Sequence, residues 1–168
     1  MQNSDETSTL GNAPDCRILM VCLGNICRSP IAQGVFENLS KKLGFDAVVD
    51  SAGTGAWHVG EAPDRRAVQT AKNRGIDISK QRARQFNVND FDAFDLILAM
   101  DQSNERDIRN MARDAQDLSK VNLFLRMAQH NEELSVPDPY YGGPDGFEEV
   151  FDLIEAASEA IIKNLKGI

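Results

Sequence analysis

Apolar positions along this chain follow two rhythms that alternate. Ile18 to Val21 is an unbroken apolar run, whereas Ile31, Val35 and Leu39 recur every four residues. The first pattern predicts a buried strand over 16–21, and the second predicts one face of a helix reaching about Leu43. Ser29-Pro30 reads as the helix start, a capping hydroxyl and then a proline at the first helical position, where a missing N–H costs nothing. Gly44 reads as its stop. Ala47-Val48-Val49-Asp50-Ser51 reads as a second strand, ending in the turn Ala52-Gly53-Thr54-Gly55. Pro63 introduces a second helix that Gly75 closes, and Phe86 to Phe94 reads as a short helix. Leu96 to Met100 is a third buried strand. Asp101 or Ser103 caps the next helix, whose apolar positions are Ile108, Met111, Ala112 and Ala115, and Val121 to Leu125 is a fourth strand. A polar loop with Pro137, Pro139, Gly142, Gly143 and Pro144 precedes a last helix with Phe147, Phe151, Ile154, Ile161 and Leu165 on its inner face.

Strand and helix alternate four times. The expected fold is therefore α/β, a single-domain open sandwich with a four-stranded parallel sheet and helices on both faces. In such folds ligands bind beyond the carboxyl ends of the strands. The segment after Val21, the turn after Ser51 and Met100-Asp101 all lie at such ends and can share one site. Residues 15–168 form the expected domain, and the polar, acidic residues 1–14 read as a flexible tail.

Composition narrows the function without naming it. The 168 residues carry a net charge of -8, which argues against DNA, RNA or an anionic membrane as a partner. No apolar run approaches the ~20 residues that span a bilayer. The three cysteines, Cys16, Cys22 and Cys27, do not make a disulfide scaffold and suit a reducing cytoplasm. They lack zinc-finger spacing, and His58 and His130 are too few and too far apart for a metal site, so no metal and no cofactor is expected. Asp90, Asp92 and Asp95 alternate with Phe91 and Phe94 and lack the glycine and terminal glutamate of a calcium loop, which reads as a solvated face. Arg65, Arg66, Arg82 and Arg84 read as surface charges.

The chemistry concentrates in Cys22-Leu23-Gly24-Asn25-Ile26-Cys27-Arg28-Ser29-Pro30, a tight loop between the first strand and the first helix. Free backbone N–H groups and the positive end of a helix dipole converge there, which makes an anion site before any side chain is counted. Arg28 can grip a tetrahedral oxyanion with paired hydrogen bonds, and Cys22 is a nucleophile beside it. Gly24 lets the backbone approach an anion, and Asn25 tolerates a left-handed conformation. The plain alternative is that Cys22 is a small buried apolar residue. Asp138, held between Pro137 and Pro139, is either an ordinary turn aspartate or a carboxylate aimed by its neighbours.

This loop resembles the phosphate-binding loop of the low-molecular-weight protein tyrosine phosphatases. The likeness continues through Asp50-Ser51-Ala52-Gly53-Thr54, Leu98-Ala99-Met100-Asp101 and Asp138-Pro139-Tyr140-Tyr141-Gly142, in the same order from residue 16 onwards. The resemblance implies hydrolysis of phosphotyrosine in proteins, and of aryl phosphates, through a phosphocysteine on Cys22. Arg28 would bind the phosphate oxygens, and Asp138 would be general acid and then base. Ser29 would assist the sulfur, Asn25 would hold the loop shape with Ser51 as partner, and Cys27 would guard Cys22 against oxidation. Trp57, Tyr140 and Tyr141 would wall a slot for a phenyl ring; the bland reading of all three is loop packing. Phosphotyrosine proteins are the implied substrates, with inorganic phosphate and similar oxyanions as inhibitors. Arsenate reductases have a similar loop but need further cysteines, and none follows Cys27. Protein-arginine phosphatases carry a small polar residue where this chain has Ile26, and lack the paired tyrosines. A non-catalytic phosphate-binding module would have no need for the nucleophile and acid together.

Overall fold

The computed structural model describes residues 13–129 and 133–168. The expected tail therefore lies largely outside the described residues, and so does His130. The elements are β1 (Cys16–Cys22), α1 (Arg28–Leu43), β2 (Ala47–Gly53), α2 (Arg65–Asn73), α3 (Asp90–Ala93), β3 (Leu96–Ala99), α4 (Gln102–Asn110), α5 (Ala115–Lys120), β4 (Val121–Leu123), α6 (Phe124–Met127) and α7 (Pro144–Lys166). The sheet has four strands in the order β2-β1-β3-β4, and every pair is parallel.

Side chains of β1 alternate between two cores, as the pleat requires. Ile18, Met20 and Cys22 enter the core under α1 and α7 with Ile31, Val35, Phe147 and Phe151. Leu19 and Val21 enter the opposite core with Phe86, Phe91, Ile97 and Ile108. Burial on both faces is why this strand is a continuous apolar run and not an alternating one. The register pairs Ile18 with both Val49 and Leu96, so the ends of β1, β2 and β3 reach the same edge of the sheet. Among the described residues no helix is long and apolar enough to cross a membrane.

Several boundaries differ from the pattern-based expectation. Ser29 does not cap α1: the N-cap position is Cys27, without a side-chain cap, and Pro30 is the third helical residue. Proline is still tolerated there, because the first four helical N–H groups have no partner within the helix. Asp101, and not Ser103, caps α4, accepting from Asn104 N at 2.7 Å. α4 stops at Asn110, which leaves Met111 exposed. Asp114 then caps the separate helix α5, and Ala115 faces outward. β4 ends at Leu123 because Phe124 and Leu125 turn into α6.

Candidate active site

A cavity of about 420 Å³ opens beyond the carboxyl end of β1. Cys22, Leu23, Gly24, Ile26, Cys27, Arg28, Trp57, His58, Asp138, Tyr140 and Tyr141 line it. Three segments that are distant in sequence thus meet at one opening. Asn25, Ser29 and Ser51 lie behind it, buried.

The loop after β1 is held from outside through its carbonyls. Those of Cys22 and Leu23 accept from Thr54 N and Gly55 N, each at 2.9 Å, and that of Ile26 accepts from Asp64 N at 2.8 Å. With the carbonyls turned outward, the N–H groups of Gly24, Ile26 and Cys27 have no protein acceptor among the described residues. These are the donors a bound oxyanion needs, at the N-terminus of a 16-residue helix. Asn25 takes the left-handed conformation at φ 58, and its N–H points back to Cys22 Sγ at 3.3 Å. Gly24 is not left-handed; its missing side chain leaves room for His58, whose Cδ2 would lie 3.1 Å from a Cβ there. The tighter glycine is Gly53, where a Cβ would meet the Leu23 carbonyl oxygen at 2.8 Å.

Hydrogen bonds behind the loop fix the orientation of the Asn25 amide. Arg84 N donates to Asn25 Oδ1 at 3.0 Å, so the Asn25 amide must point its two N–H bonds the other way. They go to Ser29 Oγ at 2.8 Å and Ser51 Oγ at 2.9 Å. Ser29 Oγ, already an acceptor, stands 3.0 Å from Cys22 Sγ and 3.5 Å from the Ala52 carbonyl, and its one hydrogen can serve either. Ser51 passes its hydrogen to Gln33 Oε1 at 2.8 Å, and Gln33 Nε2 donates to Glu37 Oε1 at 3.0 Å. Ser29 therefore lies beside the sulfur and does not cap the helix end.

Arg28, 3% exposed, donates from Nη1 to Asp101 Oδ2 at 2.6 Å and to the Val136 carbonyl at 3.0 Å. Burial works against its charge, but Cys22, Asp101 and Asp138 outweigh that, so its pKa is raised and it stays a cation. Both bonds leave from one nitrogen, which fixes the plane of the guanidinium. Asp138 reaches the other side, with Oδ2 at 3.6 Å from Nη2. Its segment is pinned to the sheet by Val136 N donating to the Met100 carbonyl at 2.7 Å. Burial, followed by Asp64, Cys22 and Asp138, pushes the Cys27 thiol well above its ordinary range. Cys27, 4% exposed, is thus a neutral group. Trp57 is 73% exposed and lies flat on Gly55, where any Cβ would enter its ring. Tyr140 and Tyr141 meet edge to face, with centroids 4.9 Å apart.

Sequence pattern did not single out several supporting residues. Asp101, expected as a cap at the shared end of the sheet, has no role toward Arg28 in that reading, yet its second oxygen holds Arg28. Arg84 is not a loose surface charge: it bridges Asp50 and Asp90 at 3.1 Å each while its backbone anchors Asn25. Asp90 is correspondingly buried and not part of a solvated face. Arg66 likewise has partners, Asp64 and the Tyr140 carbonyl. The available signal was position, since Asp101 directly follows a buried strand at the ligand-binding end of the sheet. Among the described residues no group of three or more His, Cys, Asp or Glu side chains could hold a metal ion.

Comparison with known proteins gives the family and agrees with the fold. The family model described as low molecular weight phosphotyrosine protein phosphatase matches residues 17–167. A Schizosaccharomyces pombe protein of that name is 44% identical over 152 residues, covering 89% of this chain and 96% of the relative. The crystal structure of YfkJ from Bacillus subtilis superposes with a TM-score of 0.84 at 36% identity, covering 94% of this chain and 98% of that one. A Drosophila crystal structure, described as an arginine phosphatase, superposes with a TM-score of 0.83 at 33% identity, covering 89% of this chain and 97% of that one.

Proposed function

The chain belongs to the low molecular weight phosphotyrosine protein phosphatase family, and we propose that it hydrolyses phosphotyrosine in proteins through a phosphocysteine on Cys22. The observation that carries this reading is the convergence of Cys22, Arg28 and Asp138 on one cavity with aromatic walls. In the first step the Cys22 sulfur attacks phosphorus, the P–O bond to the ring breaks, and Asp138 gives its proton to the departing phenolate oxygen. In the second, Asp138 takes a proton from water, the resulting hydroxide attacks phosphorus, and the S–P bond breaks. Inorganic phosphate leaves. Arg28 and the free N–H groups of Gly24, Ile26 and Cys27 stabilise the phosphoryl oxygens in both transition states. The Ser29 hydroxyl, aimed at Cys22, stabilises the sulfur when it carries charge.

Trp57, Tyr140 and Tyr141 suit a planar ring held deep enough for its phosphate to reach the loop. Ile26 on the cavity wall favours the aromatic substrate over the guanidinium of phosphoarginine, which would need a polar partner there. Inorganic phosphate and related oxyanions are inhibitors on this reading, since they fill the same cradle. Cys27 beside Cys22 supports a guard role, in which peroxide oxidises the Cys22 sulfur to a sulfenic acid, Cys27 attacks it, and water leaves as a disulfide forms. Residues 15–168 act as one domain, and the unpaired thiols favour a reducing cytoplasm.

The test compares wild type, Cys22→Ser and Asp138→Ala on aryl phosphates, phosphotyrosine peptides and phosphoarginine. The reading expects no turnover by Cys22→Ser, a loss by Asp138→Ala that is largest for poor leaving groups, and little wild-type turnover of phosphoarginine. Residual activity in Cys22→Ser would refute the cysteine mechanism.

A further inference from the structure

The side chain of Arg66 is 45% exposed. It is nonetheless among the most connected side chains near the cavity. Nε and Nη2 fork onto both oxygens of Asp64, each at 3.0 Å. The same Nη2 donates to the Tyr140 carbonyl at 3.1 Å. The guanidinium lies over the Phe147 ring at 4.7 Å and near the Tyr140 ring at 5.5 Å.

Each contact leads to part of the site. Asp64 N donates to the Ile26 carbonyl in the loop that carries Cys22. Tyr140 is two residues beyond Asp138, and Tyr140 N donates to Asp138 Oδ1 at 3.0 Å. The Tyr140 peptide is therefore held at its carbonyl by Arg66 and at its N–H by the Asp138 carboxylate. Phe147, 1% exposed, fixes the guanidinium plane against α7. Nucleophile loop and acid segment come from opposite ends of the chain, and this fork links the segment after one to the segment after the other.

We propose that Arg66 is a positioning residue: by clamping the Tyr140 peptide to Asp64 it sets where the Asp138 carboxyl meets the leaving oxygen. This rests on Asp138 being the proton donor. A group misplaced by about 1 Å costs on the order of a hundredfold in rate, and only where the missing proton matters. An ester that expels a strongly stabilised phenolate needs no acid, and the Cys22 loop, held independently by Thr54 and Gly55, still binds phosphate.

The experiment measures kcat/KM for wild type, Arg66→Ala, Asp138→Ala and the double variant across aryl phosphates, from strongly electron-withdrawing rings to unsubstituted phenyl. Inhibition by inorganic phosphate is measured alongside. Arg66→Ala should lose about tenfold to a hundredfold on phenyl phosphate, keep its rate on the most activated ester, and bind phosphate as wild type does. In the Asp138→Ala background Arg66→Ala should add no further selectivity. Should Arg66→Ala not fold, Arg66→Lys carries the same readout, since an ammonium cannot make the fork. If Asp138→Ala is selective for leaving group and the Arg66 variant is not, the clamp is overturned and the assignment of Asp138 stands. If Asp138→Ala lowers all esters evenly, the assignment of Asp138 falls and takes the clamp with it.

Discussion

Asn25 separates two ways in which a residue can hold the Cys22 loop, by its backbone conformation or by its side chain. It sits in the left-handed region at φ 58 and is buried. Its side chain accepts from Arg84 N and donates to Ser29 and Ser51. Alanine removes these three bonds at about 1 kcal/mol each and adds about 1 kcal/mol of left-handed strain, roughly 4 kcal/mol together. Glycine is free of the strain, but loosens the unfolded chain at a cost of about 0.4–1 kcal/mol, so it ends near the same total. For a chain of this length either loss lowers Tm by about 8–16 °C. Without the Asn25 donor the Ser29 hydroxyl is free to turn from Cys22, a loss comparable to an oxyanion-hole donor, about a hundredfold in kcat/KM. The assay is thermal unfolding with aryl phosphate kinetics on Asn25→Ala and Asn25→Gly. If Asn25→Gly keeps its Tm within about 2 °C and its activity unchanged, the left-handed backbone is what the loop needs, and the hydrogen-bond argument is refuted.

Gly53→Ala places a Cβ 2.8 Å from the Leu23 carbonyl oxygen, a backbone atom that cannot yield without moving the loop; inhibition by inorganic phosphate should weaken, with about 1–3 kcal/mol lost on unfolding in denaturant. Arg84→Met keeps the backbone bond to Asn25 but strands Asp90, whose side chain is 7% exposed; discounted for the partial exposure of Arg84, about 2 kcal/mol of stability goes, while kcat/KM below the melting range stays near wild type. Adding Asp90→Asn should recover part of the stability, and a kinetic loss as deep as that of Asn25→Ala would contradict the division of labour. Burial, then Asp95 and Asp15, pushes the Cys16 thiol up to about 11, and Cys27 is held up as well. A raised thiol value leaves little thiolate at neutral pH, so iodoacetamide near pH ~8 should leave both unlabelled in the native protein, with Cys16 labelling growing as pH climbs toward its shifted value; peptide mass spectrometry reads the result.

What pattern revealed and what it concealed follow from range. β1, β3 and α7 were legible because burial on one or both faces forces apolar residues at fixed periods, and that constraint is local. The split of the α4 region was not legible, since Met111 and Ala115 continue the apolar spacing while Asp114 restarts the helix through a single hydrogen bond to Asp117 N. The loop from Cys22 to Ser29 was legible because its chemistry is packed into eight consecutive residues at a strand-helix junction. The contacts of Asp101, Arg84 and Arg66 were not, because long-range polar pairs leave no periodicity: Arg28 and Asp101 are 73 residues apart, and Arg66 and the Tyr140 carbonyl are 74 apart.

The site answers the problem set by the chain's own charge. A protein of net charge -8 repels a phosphate dianion at long range, and its one buried guanidinium at the cavity is already paired with Asp101. Attraction must come from donors that carry no net charge, the loop N–H groups and the dipole of α1, which act only at contact. Such donors are effective only while they are fixed, because a loop that must reorganise to meet the anion loses most of what it gains. That requirement explains why the carbonyls of Cys22, Leu23 and Ile26 are taken by outside N–H groups, why Gly53 must be bare, and why Arg84 N fixes the Asn25 amide against Ser29 and Ser51. Arg28 then serves less as a source of attraction than as a planar template. Asp101 and Val136 hold it still, which on the proposed mechanism keeps the same geometry for each transition state.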